Sequence, residues 1–186
     1  MNGCVATYPR EVAPSETDRS SRPHAVRRVM RIVLLWIGKT RDRRLASLVE
    51  EYLDRSRRMG RFEVVELRDR GGASSSKGEP IVLEREADAV LASLEDGDFV
   101  VLCDETGTEL RSTEFAGIIS ERQTRSTRRM VFVIGGYLGV SARIRDRADL
   151  TLALSRMTLT HEMARVLLAE QLYRALTILT GVPYQK

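Results

Sequence analysis

Met130-Val-Phe-Val-Ile134 runs directly into Gly135-Gly136-Tyr137-Leu138-Gly139, and Leu150-Thr-Leu-Ala-Leu154 runs into Ser155-Arg156-Met157-Thr158-Leu159-Thr160. Each is a short apolar strand followed by a glycine-rich or polar stretch. His161-Glu-Met-Ala-Arg165 then opens a helix whose pattern lasts to about Thr180. Loops leaving the carboxyl ends of such strands keep backbone N–H and C=O groups free, and open α/β sheets hold their ligands there. These two units decide the fold and place its expected site.

Working towards the N-terminus, Asp98-Phe-Val-Val-Leu-Cys103 is nearly all apolar, as a strand buried on both faces of a parallel sheet should be. Asp104-Glu-Thr-Gly107 is expected to turn the chain. Ser112 or Thr113 should then cap a helix through about Arg122, with Glu114 in its first turn. Further back, Arg31-Ile-Val-Leu-Leu-Trp-Ile37 is a clear strand. The spacing of Leu45, Leu48, Val49, Tyr52 and Leu53 predicts a helix from about Asp42 to Arg57. Arg61–Arg68 reads as a second strand, Gly71–Gly78 as a flexible loop, and Pro80 sits in the first turn of a helix to Leu94. The order β-α-β-α-β-α-β-(loop)-β-α predicts an α/β fold with a mostly parallel sheet flanked by helices.

Residues 1–29 hold three prolines, several serines and no apolar period, which predicts disorder. Met30 directly precedes the first strand, so it is expected to be the physiological start. Residues 1–29 are then either a disordered leader or no part of the native protein.

At 186 residues, 42% hydrophobic and 30% charged, the chain suits one soluble domain with a full core. Two cysteines, Cys4 and Cys103, give no disulfide framework and agree with a reducing cytoplasm. Neither stands at metal-ligand spacing from His24 or His161, so no metal is expected. No apolar run reaches the roughly 18–20 residues of a membrane span. A formal charge of +4 fits a solvated surface or a polyanion-binding face equally well. The arginines cluster at 41–44, 55–61, 125–129 and 143–147, and such clusters can follow phosphates if they converge.

Several residues invite chemistry, each with a plainer reading beside it. Gly135, Gly136 and Gly139 allow close approach of backbone to a flat ligand, or simply a tight turn. Ser155–Thr160 could offer backbone hydrogen bonds to an adenine edge, and Thr160 could cap the final helix; both can hold. His161 could be a general base or a structural residue. Arg165, Glu170 and Arg174 lie on a helix apolar around most of its girth. They are either paired at an interface or aimed at a ligand, and Glu170 and Arg174 are spaced to pair. Tyr184 can be explained by packing alone.

Together these residues resemble the SPOUT class of methyltransferases, and more narrowly the bacterial family that methylates N3 of a pseudouridine in large-subunit ribosomal RNA. The resemblance runs from Met30 to the C-terminus. It rests on Val131–Gly136, Leu154–Leu159, His161 and the run Ala164-Arg-Val-Leu-Leu-Ala-Glu-Gln-Leu-Tyr-Arg-Ala175.

It implies a single SPOUT methyltransferase domain over residues 30–186 with a C-terminal trefoil knot, S-adenosylmethionine as cofactor, and 23S rRNA within the ribosome as substrate. It also implies a homodimer with the transfer site at the subunit interface. Carried over, the cofactor site is Cys103 with its neighbour Asp104, Gly135, Gly136, Gly139, and Ser155, Arg156, Met157, Thr158, Leu159 and Thr160. Arg174, Tyr184 and Lys186 are the expected groups that hold the base and stabilise charge, and His161 the expected positioning residue. The sequence departs from the family at Cys103, at Tyr137-Leu138, and at Val182-Pro-Tyr-Gln-Lys186, where two customary histidines are missing. That tail leaves room for two rivals: a ribosome-binding knot protein without chemistry, and a transfer-RNA methyltransferase of the same fold.

Overall fold

A computed structural model describes residues 30–69 and 78–184. The expected leader, most of the Gly71–Gly78 loop, and Lys186 lie outside the described residues. Strands and helices alternate: β1 Arg31–Ile37, α1 Arg43–Arg57, β2 Arg61–Leu67, α2 Glu79–Ala92, β3 Phe99–Glu109, α3 Ser112–Thr124, β4 Arg129–Ile134, α4 Ala142–Arg147, β5 Leu150–Ala153 and α5 His161–Thr180. The sheet order is β2-β1-β4-β3-β5, and every pairing is parallel.

Connection handedness explains the layers. The crossovers through α1 and α3 step one way across the sheet, and those through α2 and α4 step the other way. Right-handed connections throughout must then put the first pair of helices on one face and the second pair on the other. Packing agrees. Ile32, Leu34, Trp36 and Phe132 share one core with α1, α3 and α5. Val33, Leu35, Val131 and Val133 share the opposite core with α2 and α4. Alternate strand residues point to opposite faces, and both faces are covered, so β4 is buried at all six positions.

Local chemistry sets the helix ends. Asp42 Oδ1 accepts from the Arg44 N–H at 2.8 Å and starts α1. Thr160 Oγ1 accepts from the Met163 N–H at 3.3 Å and starts α5, as expected. Gly181, at φ +70°, ends α5 in the left-handed conformation that glycine adopts without strain.

Three expectations are corrected. The cap of α3 is neither Ser112 nor Thr113 but Arg111, whose N–H donates to Glu114 Oε2 at 2.7 Å. Ser112 falls inside the first turn, where its hydroxyl donates to Gln171 Oε1 at 2.9 Å and ties α3 to α5. The chain does not leave the sheet at Asp104. β3 continues to Glu109 through a register shift in which Leu152 faces both Cys103 and Thr108. Gly107 permits this, because a Cβ there would stand 2.6 Å from the Thr151 carbonyl. The loop expected before β5 contains α4, a six-residue helix too short to show an apolar period.

Many of the clustered arginines are paired with acids. Arg143 pairs with Asp88 and Glu84, Arg145 with Asp104, and Arg147 with Asp149. Arg57 pairs with Glu50 and Asp54, and Arg129 is buried against Glu95 and Asp98. Much of the positive charge is answered within the chain.

Candidate functional site

The carboxyl ends of all five strands share one edge, and the loops after β1 and β4 leave it in opposite directions. Neighbouring strands with diverging exits leave a crevice between them. Arg165 organises that crevice from below. It is fully buried, donating from Nη2 to the Ile37 carbonyl at 2.7 Å and from Nη1 to Thr40 Oγ1 at 2.8 Å. Its guanidinium lies 5.1 Å from the centre of the Trp36 ring, a cation–π contact strengthened by exclusion of water. Burial lowers its pKa from the usual arginine value.

Glu162 adds a second tie. Its two carboxylate oxygens accept from the N–H groups of Arg41 and Asp42 at 2.9 and 3.1 Å. Those bonds, the Arg41 amide first, hold the carboxyl below its ordinary pKa. The start of α5 is thereby fixed to the exit of β1. His161 stands half-buried there, with its pKa lowered by burial and then by Arg165.

Two hollows open along this edge. The larger, about 780 Å³, is lined by Gly38, Lys39, Arg68, Gly136, Tyr137 and His161 among others. The smaller, about 90 Å³, is lined by Cys103, Asp104, Ser155, Met157 and Leu159 among others. The smaller one gathers expected cofactor residues from β3 and from the segment after β5. Burial pushes the Cys103 thiol up to about 12, so it stays protonated and can offer only packing and its backbone.

The glycine turn borders the larger hollow through Gly136 and Tyr137, and none of Gly135, Gly136 and Gly139 lines the smaller one. The Gly139 N–H donates to the Gly136 carbonyl at 3.1 Å, and a Cβ on Gly135 would stand 2.6 Å from both Gly139 O and Val140 Cγ1. Gly136 itself faces the larger hollow. Arg156 turns outward and pairs with Glu109 at 2.7 Å, Thr158 is exposed, and Thr160 serves as the helix cap.

The remaining expected residues stand elsewhere. Glu170 Oε1 accepts from Arg174 Nη2 at 2.5 Å and from the Tyr184 hydroxyl at 3.3 Å. The Arg174 guanidinium lies 4.7 Å from the Tyr184 ring centre, and Tyr184 meets Tyr173 edge-on. Burial, then the Tyr52 hydroxyl and Glu170, pushes the Tyr184 phenol up to about 12. Arg174 comes thirteen positions after His161 on α5, a rise of about 20 Å. One chain therefore brings Arg174 to Tyr184 but brings neither to His161.

Sequence reasoning missed the structural use of Arg165 and Glu162, and it missed the larger hollow. The signal available was Gly38-Lys39 directly after β1, at the carboxyl edge where such sheets bind ligands. Among the described residues, no group of three or more His, Cys, Asp or Glu side chains could hold a metal ion. No helix among them is long and apolar enough to cross a membrane.

Residues 30–185 match a family model described as "Predicted SPOUT methyltransferase". A protein of Geobacter sp. (strain M21) named "Ribosomal RNA large subunit methyltransferase H" is 40% identical over 83% of this chain and 98% of its own length. A protein of the same name from Anaeromyxobacter sp. (strain Fw109-5) is 43% identical over 84% of this chain and 100% of its own length. Among solved structures, a tRNA (m1G37) methyltransferase from Aquifex aeolicus superposes with a TM-score of 0.48 at 18% identity, over 78% of this chain and 69% of that one.

Proposed function

The chain belongs to the SPOUT methyltransferase family, and on that premise we propose that it transfers a methyl group from S-adenosylmethionine to N3 of a pseudouridine in 23S rRNA of the large ribosomal subunit. The observation that carries this reading is the match over 98–100% of the length of relatives named for ribosomal RNA methylation. Such a substrate places the protein with ribosomes in the cytoplasm.

The smaller cleft has a donor set that fits the cofactor. Leu159 lines it, and Arg156 and Thr158 neighbour its lining residues on the same loop; the N–H groups of these three make no hydrogen bond to any described residue and are the donors offered to an adenine edge. Gly139, where a Cβ would meet nothing within 4 Å, leaves its backbone open to a flat group, Gly135 keeps the turn tight, and no side-chain charge is required there. When bound, the cofactor supplies a sulfonium-activated methyl group that needs no metal. The trefoil knot of the family belongs to the same reading. It is supported by the path of Leu154–Thr160, which leaves β5 at one edge of the sheet and enters α5 beside β1, across the ends of β3 and β4.

N3 of the neutral base bears a proton, so the chain must stabilise negative charge as that proton leaves. Arg174 supplies a fixed positive charge. Tyr184, protonated at neutral pH, supplies a hydroxyl donor, and Lys186 adds charge at the tail. His161 positions the base or the loop beneath it. Holding methyl group and nucleophile in line supplies much of the acceleration. The rise of about 20 Å between His161 and Arg174 favours a homodimer in which a second copy brings Arg174 and Tyr184 to the cleft. A cleft of only about 90 Å³ is below the roughly 300 Å³ of a typical ligand site, which also favours a covering subunit.

The test uses labelled S-adenosylmethionine and ribosomes from cells lacking the gene, with the product nucleoside identified by mass spectrometry. N3-methylpseudouridine is expected. Cofactor binding without incorporation would favour the non-catalytic ribosome-binding rival, and label in transfer RNA the other.

A further inference from the structure

The larger hollow lies outside the cofactor cleft, and its chemistry is different. Its apolar lining comes from Ile37, Leu67 and Gly136. At Gly136 a Cβ would stand 3.2 Å from a carboxylate oxygen of buried Glu86 and 3.5 Å from Ile37, a tight fit that glycine avoids. Tyr137, 56% exposed, and His161 bring two rings to its side.

Its charge balance is also decisive. Both oxygens of Glu162 already accept backbone N–H groups. Glu66 accepts from Trp36 Nε1 at 3.3 Å, and Asp69 lies 4.0 Å from the Arg41 guanidinium. Lys39 and Arg68 are exposed and pair with no acid among the described residues. What the hollow offers a visitor is an apolar lining, two rings, and the positive charges of Lys39 and Arg68, which have no acid partner among the described residues.

Size and position narrow the visitor further. A volume of about 780 Å³ lies within the roughly 300–1,000 Å³ of small-ligand sites, so it takes a nucleotide and not a duplex. Leu159 lines the cleft and His161 lines the hollow, with only Thr160 between them in the chain.

We propose that the larger hollow receives the target nucleotide of a single-stranded RNA loop, its base beside Tyr137 and His161 and its flanking phosphates on Lys39 and Arg68. This rests on the RNA methyltransferase reading above and adds where the RNA sits. Unpaired RNA loops are read through splayed bases laid on aromatic rings. A base must leave its stack before an enzyme acts on it. Lys and Arg beside the phosphates supply the salt-dependent part of affinity.

The test titrates ribosomes from cells lacking the gene with the full chain at several salt concentrations, and assays methyl incorporation on the same preparations. Lys39→Ala/Arg68→Ala is expected to bind at least about tenfold more weakly, with the log–log salt slope reduced by about 1.4, as for two single-strand phosphates. Its S-adenosylmethionine Kd, by calorimetry, should stay within about twofold of the parent. Arg125→Ala/Arg128→Ala, at the opposite edge of the sheet, should bind ribosomes like the parent. A photo-cross-linker on Tyr137→Cys should reach the methylated nucleotide or its immediate neighbours.

Unchanged ribosome affinity in the Lys39/Arg68 variant overturns the proposal, whether or not the wild type methylates. So does parallel loss of cofactor affinity, or cross-links confined to distant RNA. A wild type that binds through Lys39 and Arg68 yet transfers no methyl group supports the RNA site and defeats the catalytic reading.

Discussion

Arg165 donates to the Ile37 carbonyl at 2.7 Å across 128 residues of chain, joining the last helix to the end of the first strand. The carbonyl belongs to the last residue of β1, and the guanidinium is enclosed by Trp36 and the core. Whatever binds at the carboxyl edge therefore rests on a floor held by a buried cation.

Arg165→Ala should destabilise the fold by about 3 kcal/mol. The change leaves the Ile37 carbonyl and the Thr40 hydroxyl short of a buried charged donor, and such losses cost about 1–3 kcal/mol for each group. Urea unfolding of the variant beside the wild type measures it. A loss below about 1 kcal/mol would mean that water or repacking replaces the guanidinium.

Glu162→Gln should cost about 1 kcal/mol, the net worth of one hydrogen bond, because one of the two N–H groups just before α1, those of Arg41 and Asp42, loses its acceptor. Its folded pKa is lowered, chiefly by the Arg41 N–H. The carboxylate's stabilisation is then complete above its ordinary value of 4.5 and fades as pH falls through the lower folded value. The stability gap between wild type and Glu162→Gln should accordingly be flat near pH 7 and narrow below about 4. A gap that widens on acidification would contradict this assignment.

How far the sequence could be read follows from the range of each signal. β1 and β4 were legible because burial on both faces demands unbroken apolar runs. Both ends of α5 were legible because Thr160 and the residues around Thr180 act locally. α4 escaped notice because six residues with Ile144 alone buried make no period. Arg111 escaped as a cap because its amide, and not its side chain, makes the bond that matters. The grouping of Cys103 with Ser155 and Leu159 came through resemblance to a family. The larger hollow was illegible: Lys39, Arg68 and His161 are far apart in sequence and meet only after the sheet forms. The separation of His161 from Arg174 could have been computed from helix rise alone.

Gly135→Ala should weaken S-adenosylmethionine binding more than about tenfold, some 1.4 kcal/mol, while the chain stays folded. The added methyl would stand 2.6 Å from Gly139 O and from Val140 Cγ1, forcing open the turn after β4. Calorimetry with the cofactor, alongside thermal melting, separates the two effects. Unchanged affinity would remove the glycine turn from the cofactor site.

Arg174→Ala should lower turnover by about a hundredfold, the usual loss when one charge-stabilising donor is removed. Its stability should fall by only about 1 kcal/mol. Arg174 and Glu170 form an i,i+4 pair, worth about 0.3–0.5 kcal/mol, and the contact with the Tyr184 ring adds about 0.5–1 kcal/mol. Single-turnover methylation with the melting temperature checks both parts. An unchanged rate would exclude Arg174 from the reaction, and an unfolded variant would make its role structural.

A crystal structure of the chain with S-adenosylmethionine tests the central claim most directly. The account predicts the adenine against the open N–H groups of Arg156, Thr158 and Leu159, beside Cys103 and the Gly135–Gly139 turn, with the larger hollow left free for RNA. Cofactor density in the larger hollow, or away from this edge of the sheet, would contradict it.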